Sequence, residues 1–175
     1  GSEIHEATLS IYFLDKLNVK ITYFAPNISQ HHVINHHNGV EINEKRNTLI
    51  ESARIARGAV MELSSCDSSQ FDALIIPGGF GSAKNLCDFA FKDTSFSINS
   101  QLKDVILSFY QHKKPIGLMC ISTVIVAKLI PGAKLTLGMD PENNEKLDQM
   151  NSIGVQANYD DVVTDSDKLI FSTPA

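Results

Sequence analysis

No cationic block interrupts this chain. Fifteen Lys and Arg residues stand against twenty Asp and Glu, a net charge of −5. Without a basic stripe, a nucleic-acid surface is excluded. No apolar run is long enough to span a bilayer, so no membrane association is expected. The first residues carry no basic, apolar, small-residue signal segment. Cysteine is scarce. Cys66, Cys87 and Cys120 have unrelated spacings that fit neither a disulfide framework nor a zinc site. Reduced thiols are therefore expected, with a cytoplasmic address as the default and a mitochondrial one as the alternative for a eukaryotic relative. Metal is disfavoured as well. His31, His32, His36 and His37 lie on a hairpin pattern whose side chains alternate between faces. Asp160, Asp161, Asp165 and Asp167 lack the glycine and terminal glutamate of a calcium loop, and read as a solvated turn. No cofactor is expected.

What remains is a chain of 175 residues, 43% hydrophobic, large enough to bury one core. Strand and helix signals alternate along it. Residues 7–17 read as a helix, 19–24 as a strand, and 31–42 as a hairpin turning at Asn38-Gly39. Asn43 is placed to cap a helix running through Arg57, with Gly58 ending it. Residues 73–76 form a continuous apolar run of buried-strand type, stopped by Pro77-Gly78-Gly79. Leu102, Val105, Ile106 and Phe109 mark one helical face. A strand after Lys113-Lys114-Pro115 runs into a helix over 121–130. A strand at 134–137, a helix at 142–150 and a strand at 168–172 follow. Such alternation specifies an α/β fold with a mostly parallel sheet and helices on both faces.

The turn between the strand after Pro115 and its helix falls on Cys120. A side chain on such an elbow stands clear of the backbone and faces unpaired N–H groups of the helix start. Those dipoles favour a thiolate by about 0.3–1 kcal/mol, enough for mild activation only. Ligands in doubly wound folds sit beyond the carboxyl ends of strands. There the loop 1–6, the turn 77–81 and the elbow converge. Gly78 and Gly79 let backbone N–H groups approach a bound oxygen, and with the Ile121 amide they form a candidate oxyanion hole. Pro-Gly-Gly-Phe-Gly has the wrong spacing for a dinucleotide fingerprint, and no lysine where a phosphate loop needs one.

Several segments together resemble one branch of the ThiJ/PfpI superfamily. They are residues 1–7 (GSEIHEA), 33–36 (VINH), 46–55 (RNTLIESARI) and, most specifically, 72–86 (DALIIPGGFGSAKNL). The branch is the ElbB-like group, named for enhanced lycopene or isoprenoid biosynthesis. The resemblance implies a flavodoxin-like three-layer α/β/α sandwich, similar to class I glutamine amidotransferase domains and dimeric. It also implies a single domain over residues 1–175, with a first strand before Gly1 and a last helix after Ala175 that the sequence lacks.

By position, the superfamily's reactive pair corresponds to Cys120 and Glu6. An ionised Glu6 would oppose the thiolate, whereas a protonated one donating to sulfur would stabilise it. His5, Lys84 and Ser122 are candidate pocket residues. Two departures narrow the chemistry. Ile121 stands where superfamily hydrolases carry histidine, and no His-x-Glu motif occurs near the C-terminus. Without an adjacent base, peptidase and glutamine amidotransferase activities are argued against. The expected activity is a cofactor-independent, glyoxalase-like conversion of methylglyoxal or glyoxal to a 2-hydroxy acid. The alternatives are a redox sensor and a non-catalytic isoprenoid-pathway accessory protein.

Overall fold

A computed structural model describes residues 1–174. Its centre is a four-stranded sheet in the order β5 (Leu74–Ile76), β6 (Ile116–Met119), β10 (Ile170–Thr173) and β9 (Val163–Asp165). β5, β6 and β10 run parallel, and β9 is antiparallel to β10. A second parallel pair joins β1 (Tyr23–Ala25) to β4 (Val60–Glu62). Smaller pairs are the hairpin β2 (Ile34–Asn35) with β3 (Val40–Glu41), and β7 (Lys134–Leu135) with β8 (Ile153–Gly154). The mixed α/β architecture with its largely parallel central sheet is the one the sequence pattern specifies. Among the described residues, β5 pairs on one edge only, and so does β1.

Alternation along β6 divides the molecule into layers. Ile116 and Leu118 are buried, in register with Leu74 and Ile76 of β5 and with Ile170 and Ser172 of β10. On that face they join Leu102, Val105, Ile106 and Phe109 of α4 (Ser100–Gln111) and Val124–Ala127 of α5 (Thr123–Leu129) in one apolar cluster. Gly117 and Met119 point to the other face, since successive side chains alternate. There α1 (Ile4–Lys16) lies against Ile75 and Met119. The core face of α4 is the one its i, i+3, i+4, i+7 spacing predicts.

Other expectations are corrected. The helix expected over 43–57 is only α2 (Thr48–Ser52), capped by Asn47, whose side chain accepts from the amides of Leu49 and Ile50. Beyond it the chain tightens into i→i−3 turns, Arg54 to Glu51 and Ile55 to Ser52, before Gly58. The strand expected over 19–24 begins only at Tyr23, because β4 offers three residues to pair with. Asp165 does not sit on a solvated turn. It is buried, and accepts from the backbone amides of Lys134 and Lys168.

The last helix bearing on the site is α6 (Pro141–Gln149), opened by Pro141 and capped by Asp140. Buried Asn144 fastens it to the preceding loop. Its amide nitrogen donates to the Gly138 and Asp140 carbonyls, and its oxygen accepts from the Leu137 amide at 3.0 Å. Replacing Asn144 with alanine strands those backbone groups. Urea unfolding of Asn144→Ala is expected to show about 1–3 kcal/mol lower stability, with an unchanged denaturant slope.

Candidate functional site

Cys120 occupies the elbow. β6 ends at Met119, residues 120–122 form one 3-10 turn, and α5 follows. The cysteine backbone is left-handed, at φ 52°. A non-glycine residue in that region is strained, and at a strand-to-helix turn the strain holds the side chain clear of the main chain. Ser122 braces the elbow from below. It is fully buried, and its hydroxyl donates to the Ile76 carbonyl at 2.9 Å while lying 3.1 Å from the Met119 amide, which donates to it. The serine expected to line a pocket thus ties β5 to β6 beneath the cysteine.

Glu6 and Gly78 meet the elbow from two other elements. The Gly78 amide donates to Glu6 Oε2 at 2.6 Å. A Cβ on Gly78 would lie 2.6 Å from Cys120 Cβ, 2.7 Å from the Met119 oxygen and 2.9 Å from Glu6 Oε2, so only glycine fits. All three groups crowd one point. That keeps the carboxyl oxygen and the cysteine Cβ within about 6 Å of each other. Glu3 caps α1 by accepting from the Glu6 amide, and its own amide donates to the Gly78 carbonyl at 3.0 Å. Gly81 donates to the Gly1 carbonyl, which fastens the chain start across the glycine turn. Gly79, at φ 95°, would bring a Cβ to 2.3 Å from the Glu3 nitrogen.

Of the three candidate oxyanion donors, the Gly78 amide is therefore engaged with Glu6. No acceptor among the described residues takes up the Gly79 amide. The Ile121 amide lies in the first turn of its helix, where N–H groups lack intrahelical partners.

Cys120 and Glu6 line different openings. The cysteine lines a cavity of about 140 Å³ with Phe89, Ile121, Leu137, Asn143 and Lys146. Glu6 lines an apolar groove between α1 and the sheet, with Leu9, Phe13, Ile75 and Met119. Burial in that groove pushes the Glu6 carboxyl above the ordinary range. The Gly78 hydrogen bond opposes the rise, and the Glu3 charge adds to it. His5 stays outside, 2.8 Å from Glu3 Oε1, an interaction that raises its pKa. Lys84 lies 3.2 Å from His32 Nδ1 and over the Phe80 ring, and does not line the cysteine cavity. Among the described residues, no group of three His, Cys, Asp or Glu side chains is placed to hold a metal ion. Asn143 and Lys146, absent from the sequence reading, come from α6. No local signal marks them, since only the packing of the helix after the β7 loop brings them to the cavity.

Other cysteines differ sharply. Cys87 is buried, and burial pushes its thiol up to about 11. Burial and then Asp67 raise the Cys66 thiol.

No family model matches the chain. It is 42% identical over 147 residues to the human mitochondrial glutamine amidotransferase-like class 1 domain-containing protein 3, covering 83% of this chain and 55% of that protein. Against the mitochondrial ES1 protein of Danio rerio it is 31% identical over 192 residues, 99% of this chain and 71% of the relative. The chain thus spans about half the length of the human relative. Among solved structures, an isoprenoid biosynthesis protein with an amidotransferase-like domain from Ehrlichia chaffeensis superposes with a TM-score of 0.89 at 41% identity. That match covers 99% of this chain and 80% of the other. Drosophila melanogaster DJ-1β matches at 0.61 and 19% identity over all of this chain and 77% of its own, a likeness of fold.

A carboxyl group raised by burial binds protons more tightly folded than unfolded. Its contribution to stability is complete below the unfolded pKa and is lost as pH rises through the folded one. The stability of the wild type relative to Glu6→Gln is therefore expected to fall as pH rises above the ordinary glutamate value of about 4.3. Urea midpoints measured upward from there check it, and a wild type that gains stability over the variant with rising pH contradicts the assignment.

Proposed function

This chain belongs to the ES1 and isoprenoid-biosynthesis amidotransferase-like family, and from that premise we propose that it converts small 2-oxoaldehydes to 2-hydroxy acids. The carrying observation is the meeting of strained Cys120, carboxyl Glu6 and side-chain-free Gly78 at one point. Cys120 supplies a nucleophile, and Glu6 a proton carrier whose pKa burial raises.

The steps balance without an external oxidant or reductant. The thiolate adds to the aldehyde carbon, and the carbonyl oxygen takes the Glu6 proton to give a hemithioacetal. The Glu6 carboxylate removes the hydrogen on that carbon, and the neighbouring ketone oxygen is protonated to give an enediol. Return of a proton to the second carbon leaves a thioester of the 2-hydroxy acid. Water then cleaves the carbon–sulfur bond and frees the thiol. Oxygen charge developing in these steps faces the Gly79 and Ile121 amides, and losing one such donor costs about 10²–10³ in rate.

A second reading is redox sensing through Cys120. It is favoured by the place of Cys120 on a strained elbow lining a cavity, whereas Cys87 is buried. The mitochondrial names of the curated relatives make a mitochondrial setting the first to test.

Lactate formed from methylglyoxal without glutathione tests the main reading. Cys120→Ser is expected to abolish turnover, and Glu6→Gln to lower it by about 10²–10⁴-fold. If no protein shows turnover and graded peroxide adds oxygen first at Cys120, the redox reading takes its place. If neither occurs, an accessory role in isoprenoid metabolism is the reading left.

A further inference from the structure

Lys146 is the one permanent charge among the side chains lining the cysteine cavity. Three of its companions, Phe89, Ile121 and Leu137, are apolar, and the other two are Cys120 and Asn143. The chemistry of the cavity is thus asymmetric, with a nucleophile at the elbow and an ammonium group brought in by α6. We propose that the electrophile accepted by Cys120 carries an anionic group, and that Lys146 binds it. Resting on the reading of Cys120 as nucleophile, this narrows the substrate to 2-oxoaldehydes whose substituent bears a carboxylate.

The resting partner of Lys146 supports the assignment. Its Nζ lies 3.1 Å from Asp93 Oδ2, in a pair whose side chains are 35% and 58% exposed. Exposed pairs of this kind hold weakly. A carboxylate inside the walled cavity competes with Asp93 on favourable terms, since its attraction to the ammonium is less screened there. The lysine stem has the freedom to turn between the two, whereas the Phe89 ring, 5.7 Å from Nζ, forms one wall of its path. Asp93 itself is left-handed, at φ 46°. Asn143 spends one of its two amide N–H donors on Asp140 and is neutral, so the charge recognition falls to Lys146.

The test uses two alkylating agents of equal size and opposite character, iodoacetate and iodoacetamide, on the full-length protein. Peptide mass spectrometry reads modification at Cys120, and free cysteine measured alongside gives the reference ratio of the two rates. The iodoacetate-to-iodoacetamide ratio at Cys120 is expected to exceed the reference by about tenfold. It should fall to the reference in Lys146→Met, return in Lys146→Arg, and rise further in Asp93→Asn, where the competing carboxylate is gone. A merely structural lysine would not move the ratio in opposite directions in these variants. A wild-type ratio at or below the reference, a ratio unchanged in Lys146→Met, or no labelling of Cys120 overturns the proposal. A parallel comparison of kcat/KM for 4,5-dioxopentanoate and methylglyoxal separates the two levels. Anion-selective labelling with no turnover of either aldehyde refutes the glyoxalase-like reaction and leaves the anion site standing. Turnover that favours methylglyoxal by the same factor in wild type and Lys146→Met refutes the anion site alone.

Discussion

One hydrogen bond, from the Gly78 amide to Glu6 Oε2 at 2.6 Å, joins two of the three segments that make the site and packs them on the third. It links the turn after β5 to the first turn of α1, and it passes directly over the cysteine elbow. The absence of a side chain at Gly78 is what permits it, because any Cβ there would meet Cys120, Met119 and Glu6 at once. The neighbouring contacts depend on the same geometry. Glu3 can reach the Gly78 carbonyl only while α1 starts where Glu6 places it, and the Gly1 carbonyl reaches Gly81 by the same approach. Backbone packed on backbone leaves little freedom at the point where the cysteine elbow and Glu6 come together.

That bond also decides how the oxyanion donors are divided. A glycine pair after a strand reads from sequence as two free amides, and the structure commits one of them to the carboxyl group. A committed donor lowers the cost of charge on Glu6, while burial against Leu9, Phe13 and Met119 raises it, and burial wins. The outcome is a carboxyl that holds its proton more tightly than a free glutamate does.

Much of this was legible in the chain. The periodicity of α4 gave its core face residue by residue, and Asn38-Gly39 gave the hairpin, where Gly39 adopts φ 73°. The elbow was legible because an apolar strand ran into a helical pattern with no residues to spare, so Cys120 had to take the turn. Local signals failed where partners set the limits. β4, β8 and β9 are two or three residues long, too short to show a period, and exist because a neighbour pairs with them. Asn47 displaced Asn43 as a cap because the cap is chosen by where the backbone turns, and several residues nearby had suitable side chains. Ser122 looked like a pocket residue from its place after the cysteine. On a 3-10 turn its hydroxyl instead points back into the sheet, where the Ile76 and Met119 carbonyls await a donor. Lys146 was invisible for another reason. It stands 26 positions beyond Cys120 in sequence, and only the packing of α6 brings it to the cavity.

The residue after the cysteine sets the remaining constraint. With Ile121 in place of a histidine, no imidazole follows the thiol in sequence, and the proposed reaction leaves its protons to Glu6 or water. Chemistry that needs a strong base to expel an amine is poorly served by one raised carboxyl group. Chemistry that passes a proton between adjacent carbons of one small molecule needs a single group able to give and take it. The elbow strain, the glycine contact and the half-buried carboxyl suit the second kind, and under the proposed reading the missing histidine narrows the reaction as much as the residues present do.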